Sequence, residues 1–372
     1  MLELDIKALI IFDKKRKPKG FNDDERIIFV NGNICDEDSL KRCFDEFRPG
    51  FVFHTAAQRN PGYAEKHVLE VVRENIFGTL NLVQICENSS FVKQCVFSST
   101  GKASRYYTSE VYAATKKICE FIFDTHAKNS KVLYSMVRFT HIINNSLMNI
   151  ELKNIEEADY LAIHSPGKYV TAQSVSEAAS LMLNSLIYAE RNRSVFLIVK
   201  NLEWPVESLE VALYNISKHR HTIPVIFTGN PPGYQERFFR GQLDWSAPQS
   251  LNLLINVYEN QNIEFNSEQD MIISKILSVS KKLLLECLSG FHIADNDFAA
   301  LTWLKDVLYR CVGDSLKNVD TGVTLNILKW GLDPNYNPMN DSIAGFKEII
   351  QLLMKSLSGT PHEKLAENLV SR

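Results

Sequence analysis

Up to about residue 140, short apolar runs alternate with stretches of helical periodicity. Ala8–Phe12, Ile27–Val30, Phe51–His54, Gln94–Phe97 and Val132–Val137 are compact and contiguous, the pattern of strands buried on both faces of a parallel sheet. Between them, Leu40, Cys43, Phe44 and Phe47 recur at helical spacing behind the acidic start Asp36-Glu37-Asp38-Ser39. The stretches 66–88 and 110–128 have helical length and end in Asn/Ser or Lys/Asn clusters. Alternation of this kind predicts βαβ units, an α/β parallel sheet with helices on both faces.

After residue 140 the pattern loosens. A helix-like stretch, 174–189, leads into the strand-like Val195–Val199, and proline and glycine cluster in Thr228-Gly-Asn-Pro-Pro-Gly233. From about 266 onward the spacing reads as helical, with Ile272, Ile273, Ile276 and Leu277 continuing into Leu283, Leu284 and Leu285. The chain is expected to divide into an α/β domain, 1–245, and a helical C-terminal region, 246–372.

The 372 residues are 45% hydrophobic and 23% charged, with a formal net charge of −3, so nothing pulls the whole chain toward nucleic acid or anionic lipid. No apolar run reaches the roughly 18 residues of a membrane span. The start carries no basic segment ahead of an apolar one, and a cytoplasmic protein is the expectation. Seven cysteines with no CxxC spacing suggest buried thiols rather than a disulfide framework. Among 16 glycines no two stand as Gly-x-Gly, which excludes a complete dinucleotide fingerprint.

The sharpest chemical signal lies within 94–116. A strand ends at Ser98-Ser99-Thr100, and a helix then presents Tyr112 and Lys116 on one face, one turn apart. An ammonium beside a phenol favours the phenolate, and a hydroxyl from Ser99 or Thr100 could share a proton with a substrate oxygen. Tyr-x-x-x-Lys alone is weak, since a solvated helix face explains most such pairs. Its place behind a strand-end Ser-Ser-Thr makes it specific.

Residues 8–240 resemble an extended short-chain dehydrogenase/reductase, and more narrowly the polysaccharide-biosynthesis (capsule-type) nucleotide-sugar 4,6-dehydratase and epimerase family. The landmarks run in order: Val30-Asn31-Gly32-Asn33-Ile34-Cys35-Asp36, His54-Thr55-Ala56-Ala57, Asn75-Ile-Phe-Gly78-Thr79, Ser99-Thr100-Gly101-Lys102-Ala103, Tyr112 to Lys116, Val137-Arg138-Phe139 and Thr228–Gly233. The resemblance implies a Rossmann-like sheet, with substrate-side segments at about 141–172 and 202–245. It implies Tyr112 and Lys116 as the catalytic pair, Ser99 or Thr100 as hydroxyl partner, and Lys102 near the sugar. For an NAD or NADP cofactor it implies Asp13, Asn33, Ile34, Thr55, Ala56, Ala57, Asn75 and Lys116. Asp13 would accept from an adenosine ribose, whereas Lys14, Lys15 and Arg16 could favour a 2′-phosphate, so the choice between NAD and NADP stays open. A solvated loop is the plainer reading of Lys14–Lys19. His54 is expected to stabilise the fold, and no ligand spacing suggests a metal.

The departures carry as much information. Family spacing makes Ala8–Phe12 the second strand, leaving the first strand, its Gly-rich turn and the first helix outside this chain. Pyrophosphate binding ordinarily uses backbone N–H groups at that turn. A disrupted or narrowed sheet is expected there, with Met1–Lys7 a poor substitute strand. Gly101 stands where the dehydratases carry an acidic aspartate, and His141 where an asparagine is usual. Pro231, Tyr234 and Gln235 replace Arg, Glu and Lys in the late loop, for which Arg237 or Arg240 could compensate. Two function classes follow. One is an NAD(P)-dependent nucleotide-sugar dehydratase or epimerase acting on a UDP-N-acetylhexosamine-like substrate, with homo-oligomerisation left open. The other is a degenerate, non-catalytic relative that binds a sugar nucleotide or serves as an assembly subunit.

Overall fold

The computed structural model describes residues 5–15, 24–142, 159–167, 169–202, 205–218, 222–234, 239–248, 251–333, 335 and 343–371. Five parallel-type strands form where the apolar runs predict them: β1 (Leu9–Asp13), β2 (Ile27–Asn31), β3 (Phe51–His54), β4 (Gln94–Thr100) and β5 (Leu133–Phe139). Helix α1 (Glu37–Phe47) follows β2, and the Asp36 side chain caps it by accepting from Ser39 N at 3.1 Å. The stretch expected as one helix over 66–88 is three pieces. Val68–Val72 runs through a π-helical turn, Arg73–Phe77, into α2 (Gly78–Asn88). Such a turn inserts an extra residue and re-aims side chains, here placing Asn75 inward.

The sheet is split. β3, β4 and β5 join β6 (Val195–Val199) in parallel, and two further strands, β7 (Glu264–Phe265) and β8 (Met271–Ser274), extend it antiparallel in the order β7-β8-β6-β5-β4-β3. Among the described residues β1 and β2 pair only with each other, as a separate parallel ribbon. The disruption falls between β1 and β3, at the position that the family order assigns to a first strand. Residues 1–4 of the substitute considered above lie outside the described residues.

The C-terminal region is not purely helical. Ile272 and Ile273 belong to β8, which lies between β7 and β6 and extends the main sheet antiparallel. A short buried strand and a buried helical turn share the same apolar run, so periodicity alone cannot separate them. Helices do follow, at Lys281–Ser289, Asp297–Ser315, Thr321–Leu332, Lys347–Leu357 and Glu363–Val370, and their buried faces merge with the α/β core in one cluster. At the centre lies α3 (Val111–Ala127), in which every residue from Ala113 to Ala127 is buried. Among the described residues no helix is long and apolar enough to cross a membrane. Six of the seven cysteines are buried and all are free thiols.

Candidate active site

The site assembles at the C-terminal ends of β4 and β5, against the first turns of α3. Adjacent strand residues point to opposite faces, so Ser99 and Thr100 part company. Ser99 turns inward, and its hydroxyl donates to Glu120 Oε1 at 2.6 Å. That hydroxyl is committed to a buried carboxylate, and Ser99 is removed as hydroxyl partner of the tyrosine. Thr100, on the other face, stands beside the Tyr112 phenol and favours its ionised form.

Tyr112 is half-buried at the start of α3. Burial pushes its phenol up to about 12, against the smaller opposing effects of the Thr100 hydroxyl and the Arg59 charge. The expected depression by Lys116 does not occur. The Lys116 ammonium is itself buried, donates to Ser98 O at 2.8 Å and sits over the Phe97 ring at 4.6 Å. Burial brings it down to about 8, only partly offset by Cys119 and Glu120. The two groups share a helix face, yet each is anchored to a different part of β4.

Asn75 acts as a brace. Its Oδ1 accepts from Gln58 N at 2.8 Å, and its Nδ2 donates to Gln58 O at 3.2 Å and Thr115 Oγ1 at 3.0 Å. The loop after β3 is thereby tied to α3 beside the tyrosine. His54 donates to or accepts from Thr79 Oγ1 at 2.8 Å, fully buried, and burial lowers it to about 3. It is a neutral structural residue, as expected. Lys102 bonds Glu110 at 3.2 Å and Gly233 O at 3.4 Å, so the late loop reaches the site. That loop turns at Gly233 (φ +83°), where a side chain would meet Pro61 O at 2.7 Å. Tyr234 packs edge-on against His164, with ring centroids 4.6 Å apart. Arg240 lies over the Trp245 ring at 4.7 Å, while Gln235 and Arg237 fall outside the described residues.

Position 101 has a structural answer. A Cβ built on Gly101 would stand 2.2 Å from Leu254 Cδ2. The space an aspartate would need is therefore filled by a leucine from the segment after residue 250. That segment is held by a charge network sequence reasoning missed. Arg138, wholly buried, donates to Glu120 (2.8 Å to each of Oε1 and Oε2), to Glu259 (2.7 and 2.8 Å) and to Leu254 O (3.0 Å). Lys117 supplies a second buried cation, donating to Ala103 O at 2.9 Å. The available signal was an arginine inside an otherwise apolar strand, which demands buried anionic partners.

The expected cofactor residues divide. Thr55 is exposed, Ala56 and Ala57 are half-buried at the end of β3, and Asn75 and Lys116 are buried close by. Asp13 and Asn33 are exposed at the ends of the separate ribbon, and each accepts from its own turn, at 2.7 Å from Lys15 N and 2.9 Å from Cys35 N. The Ile34 side chain packs against Gly78, and Lys14 is paired with Glu74; Arg16 to Lys19 lie outside the described residues. A dinucleotide diphosphate does not fit these groups. The turn from β2 enters α1 through Asp36, Glu37 and Asp38, three carboxylates where an anion needs bare N–H groups. The turn from β3 enters only the four-residue helix Pro61–Ala64, whose Tyr63 N–H is already taken by Asn60.

The protein-family model described as "Polysaccharide biosynthesis protein" matches residues 2–240. The chain belongs to that family. Capsular polysaccharide biosynthesis protein CapD of Staphylococcus aureus is 26% identical over 271 residues, covering 70% of this chain and 44% of its own length. UDP-N-acetylglucosamine 4,6-dehydratase (inverting) of Campylobacter jejuni is 27% identical over 117 residues, 31% of this chain and 34% of that protein. The chain spans only a third to under three-fifths of the first curated relatives it matches, one of which is named an uncharacterized membrane protein. Among solved structures, Pen from Bacillus thuringiensis superposes with a TM-score of 0.59 at 19% identity, over 74% of this chain and 81% of that one. UDP-glucose 4-epimerase from Thermotoga maritima with UDP-glucose gives 0.52 at 18%, over 61% and 80%. These likenesses establish the fold. The protein is thus a polysaccharide-biosynthesis family member related to nucleotide-sugar dehydratases and epimerases.

Proposed function

We propose that this chain binds a nucleotide sugar and places Tyr112 to take the proton of one sugar hydroxyl, the proton half of an epimerase-type oxidation whose hydride would go to a nicotinamide acceptor, rather than catalysing elimination. The observation that carries the reading is the convergence at the end of β4 of Thr100, of Tyr112 in the first turn of α3, and of Lys116 one helical turn behind, its ammonium held by Ser98 O. Tyr112 would hold the proton at its phenolic oxygen, and Thr100 would orient the same sugar oxygen. Lys102, tied to the late loop, would lie beside the hexose. Elimination needs an acid at position 101, where this chain has glycine covered by Leu254.

The same reasoning favours a second reading for the isolated chain, that of a sugar-nucleotide-binding subunit. Its support is the lack of fit between the described residues and a dinucleotide diphosphate. Both readings expect binding of UDP-N-acetylglucosamine or a close relative. Saturation-transfer NMR with UDP-N-acetylglucosamine tests them, with the hexose ring protons receiving saturation in the wild type. Loss of one sugar hydrogen bond in Thr100→Val or Tyr112→Phe should weaken binding about 3- to 10-fold. Saturation confined to the uridine, or none at all, would sink the proposal. A 4-keto-6-deoxy product in an assay supplied with NAD would restore elimination.

A further inference from the structure

We propose that Lys117 is a positioning residue of the candidate site: its ammonium tethers the turn that carries Thr100 and Lys102, at the end opposite to the one Lys116 holds. Two successive residues of α3 fasten the two ends of one short segment. Lys116 donates to Ser98 O at 2.8 Å and Lys117 to Ala103 O at 2.9 Å, and both side chains are buried. Between those carbonyls lie Ser99, Thr100, Gly101 and Lys102. Thr100 is the last residue of β4, and the chain leaves it in the short helical turn Gly101–Ser104. The bonds inside that turn are long, at 3.4 Å from Lys102 N to Thr100 Oγ1 and 3.4 Å from Arg105 N to Lys102 O. Bonds of that length hold a turn weakly, so its place is set by what grips it from outside.

The grip comes from α3 and from the segment after residue 240. The Ser104 hydroxyl donates to Leu253 O at 3.1 Å and accepts from Gln242 Nε2 at 2.8 Å, and its carbonyl accepts from Asn256 Nδ2 at 2.9 Å. These contacts fall one residue past the Lys117 tether, while Leu254 covers Gly101. The Lys117 charge lies in the field of Glu259, Glu120 and Arg138. Two carboxylates against two cations leave that cluster neutral, so the ammonium balances buried charge as well as holding Ala103 O. Beside it Tyr106, Asn256 and Ser315 help to enclose a cavity of about 20 Å³, room for roughly one water molecule. A slackened turn would carry Thr100 away from Tyr112, and Lys102 away from Gly233 O of the late loop. Displacements of about 1 Å at such positions are enough to misplace a bound group. That Thr100 and Lys102 meet a sugar rests on the proposed function; the tether itself does not.

Amide hydrogen exchange on the full chain reads the tether without any ligand. Lys117→Met removes the donor and keeps an apolar side chain, whereas Lys117→Arg keeps a charged donor. In Lys117→Met the amides of Lys102 and Arg105 should exchange at least about tenfold faster than in the wild type, with Val195–Val199 unchanged, and Lys117→Arg should recover most of the difference. Unaltered exchange at Lys102 and Arg105 would overturn the proposal. Acceleration by the same factor across Leu133–Phe139 would overturn it too, since Lys117 would then only stabilise the core. Should Lys117→Met fail to fold, Lys117→Met combined with Glu259→Gln keeps the cluster neutral, and it is compared with Glu259→Gln alone. Saturation transfer to UDP-N-acetylglucosamine gives the second readout. The ratio of hexose to uridine signal should fall about 3- to 10-fold in Lys117→Met and return in Lys117→Arg. An unchanged ratio in a variant whose turn is loosened would overturn the positioning role. No transfer even in the wild type would sink the nucleotide-sugar reading alone, and the exchange rates then decide the tether.

Discussion

β1 and β4 are made of similar residues and meet different fates. Ile10, Ile11 and Phe12 stay half-buried, whereas Cys95, Val96 and Phe97 are buried to 1% exposure or less. The difference lies in neighbours rather than in pattern. β4 has strands on both sides and α3 across one face, and the ends of β4 and β5 are fastened by the Arg138 network. Among the described residues β1 has one strand beside it. A strand's apolar run states what it could bury, and the rest of the fold decides whether it does. The residues proposed to handle the proton stand in the well-built half, and Asp13, Asn33 and Ile34, expected to face a nucleotide, in the open one.

The contrast predicts unequal sensitivity to mutation. Arg138→Met leaves Glu120 and Glu259 buried without their cation, and should cost about 3–5 kcal/mol in denaturant unfolding. A loss below about 1 kcal/mol would mean that the network is not a buried lock. Gly101→Asp drives a side chain into Leu254 and should cost about 1–3 kcal/mol, with Leu254→Ala in the same chain reducing that penalty. Additive losses would show that the two positions do not meet.

Acid should probe the same half. Burial, with the Lys116 charge second, holds His54 near 3, against an ordinary value of 6.5. Between these values the unfolded chain binds the extra proton and the folded one does not, so stability falls as pH drops. The His54 contribution should reach a slope of about 1.4 kcal/mol per pH unit. His54→Gln should flatten that part of the profile; an unchanged slope would locate the acid sensitivity elsewhere. The smallest effect belongs to the open half. Lys14→Ala breaks a half-exposed pair with Glu74 and should change stability by less than about 1 kcal/mol.

Much of this was legible in the sequence. The strands, the strand-end hydroxyls and the Tyr112 helix follow from apolar runs and spacing, and the split between β1 and β3 from the strand order that the family resemblance implies. Three features were hidden, each for a physical reason. Choosing Thr100 over Ser99 depends on which face each side chain takes and on Glu120, a residue 21 positions away from Ser99. The high Tyr112 value reflects burial, which outweighs the nearby charges that residue types suggest. Leu254 over Gly101 is a contact between segments about 150 residues apart, and Met271–Ser274 carries an apolar run that helix and strand share.

The central claim is the proposal that this chain holds the proton-handling part of the site, while its described residues offer no cradle for a dinucleotide diphosphate. Isothermal calorimetry of residues 1–372 with NAD tests it most directly. The account predicts no saturable heat up to about 1 mM, since charged phosphate oxygens would find carboxylates or capped turns instead of free N–H groups. A single-site isotherm in the micromolar range would contradict it and require a phosphate site within the chain that these residues do not provide.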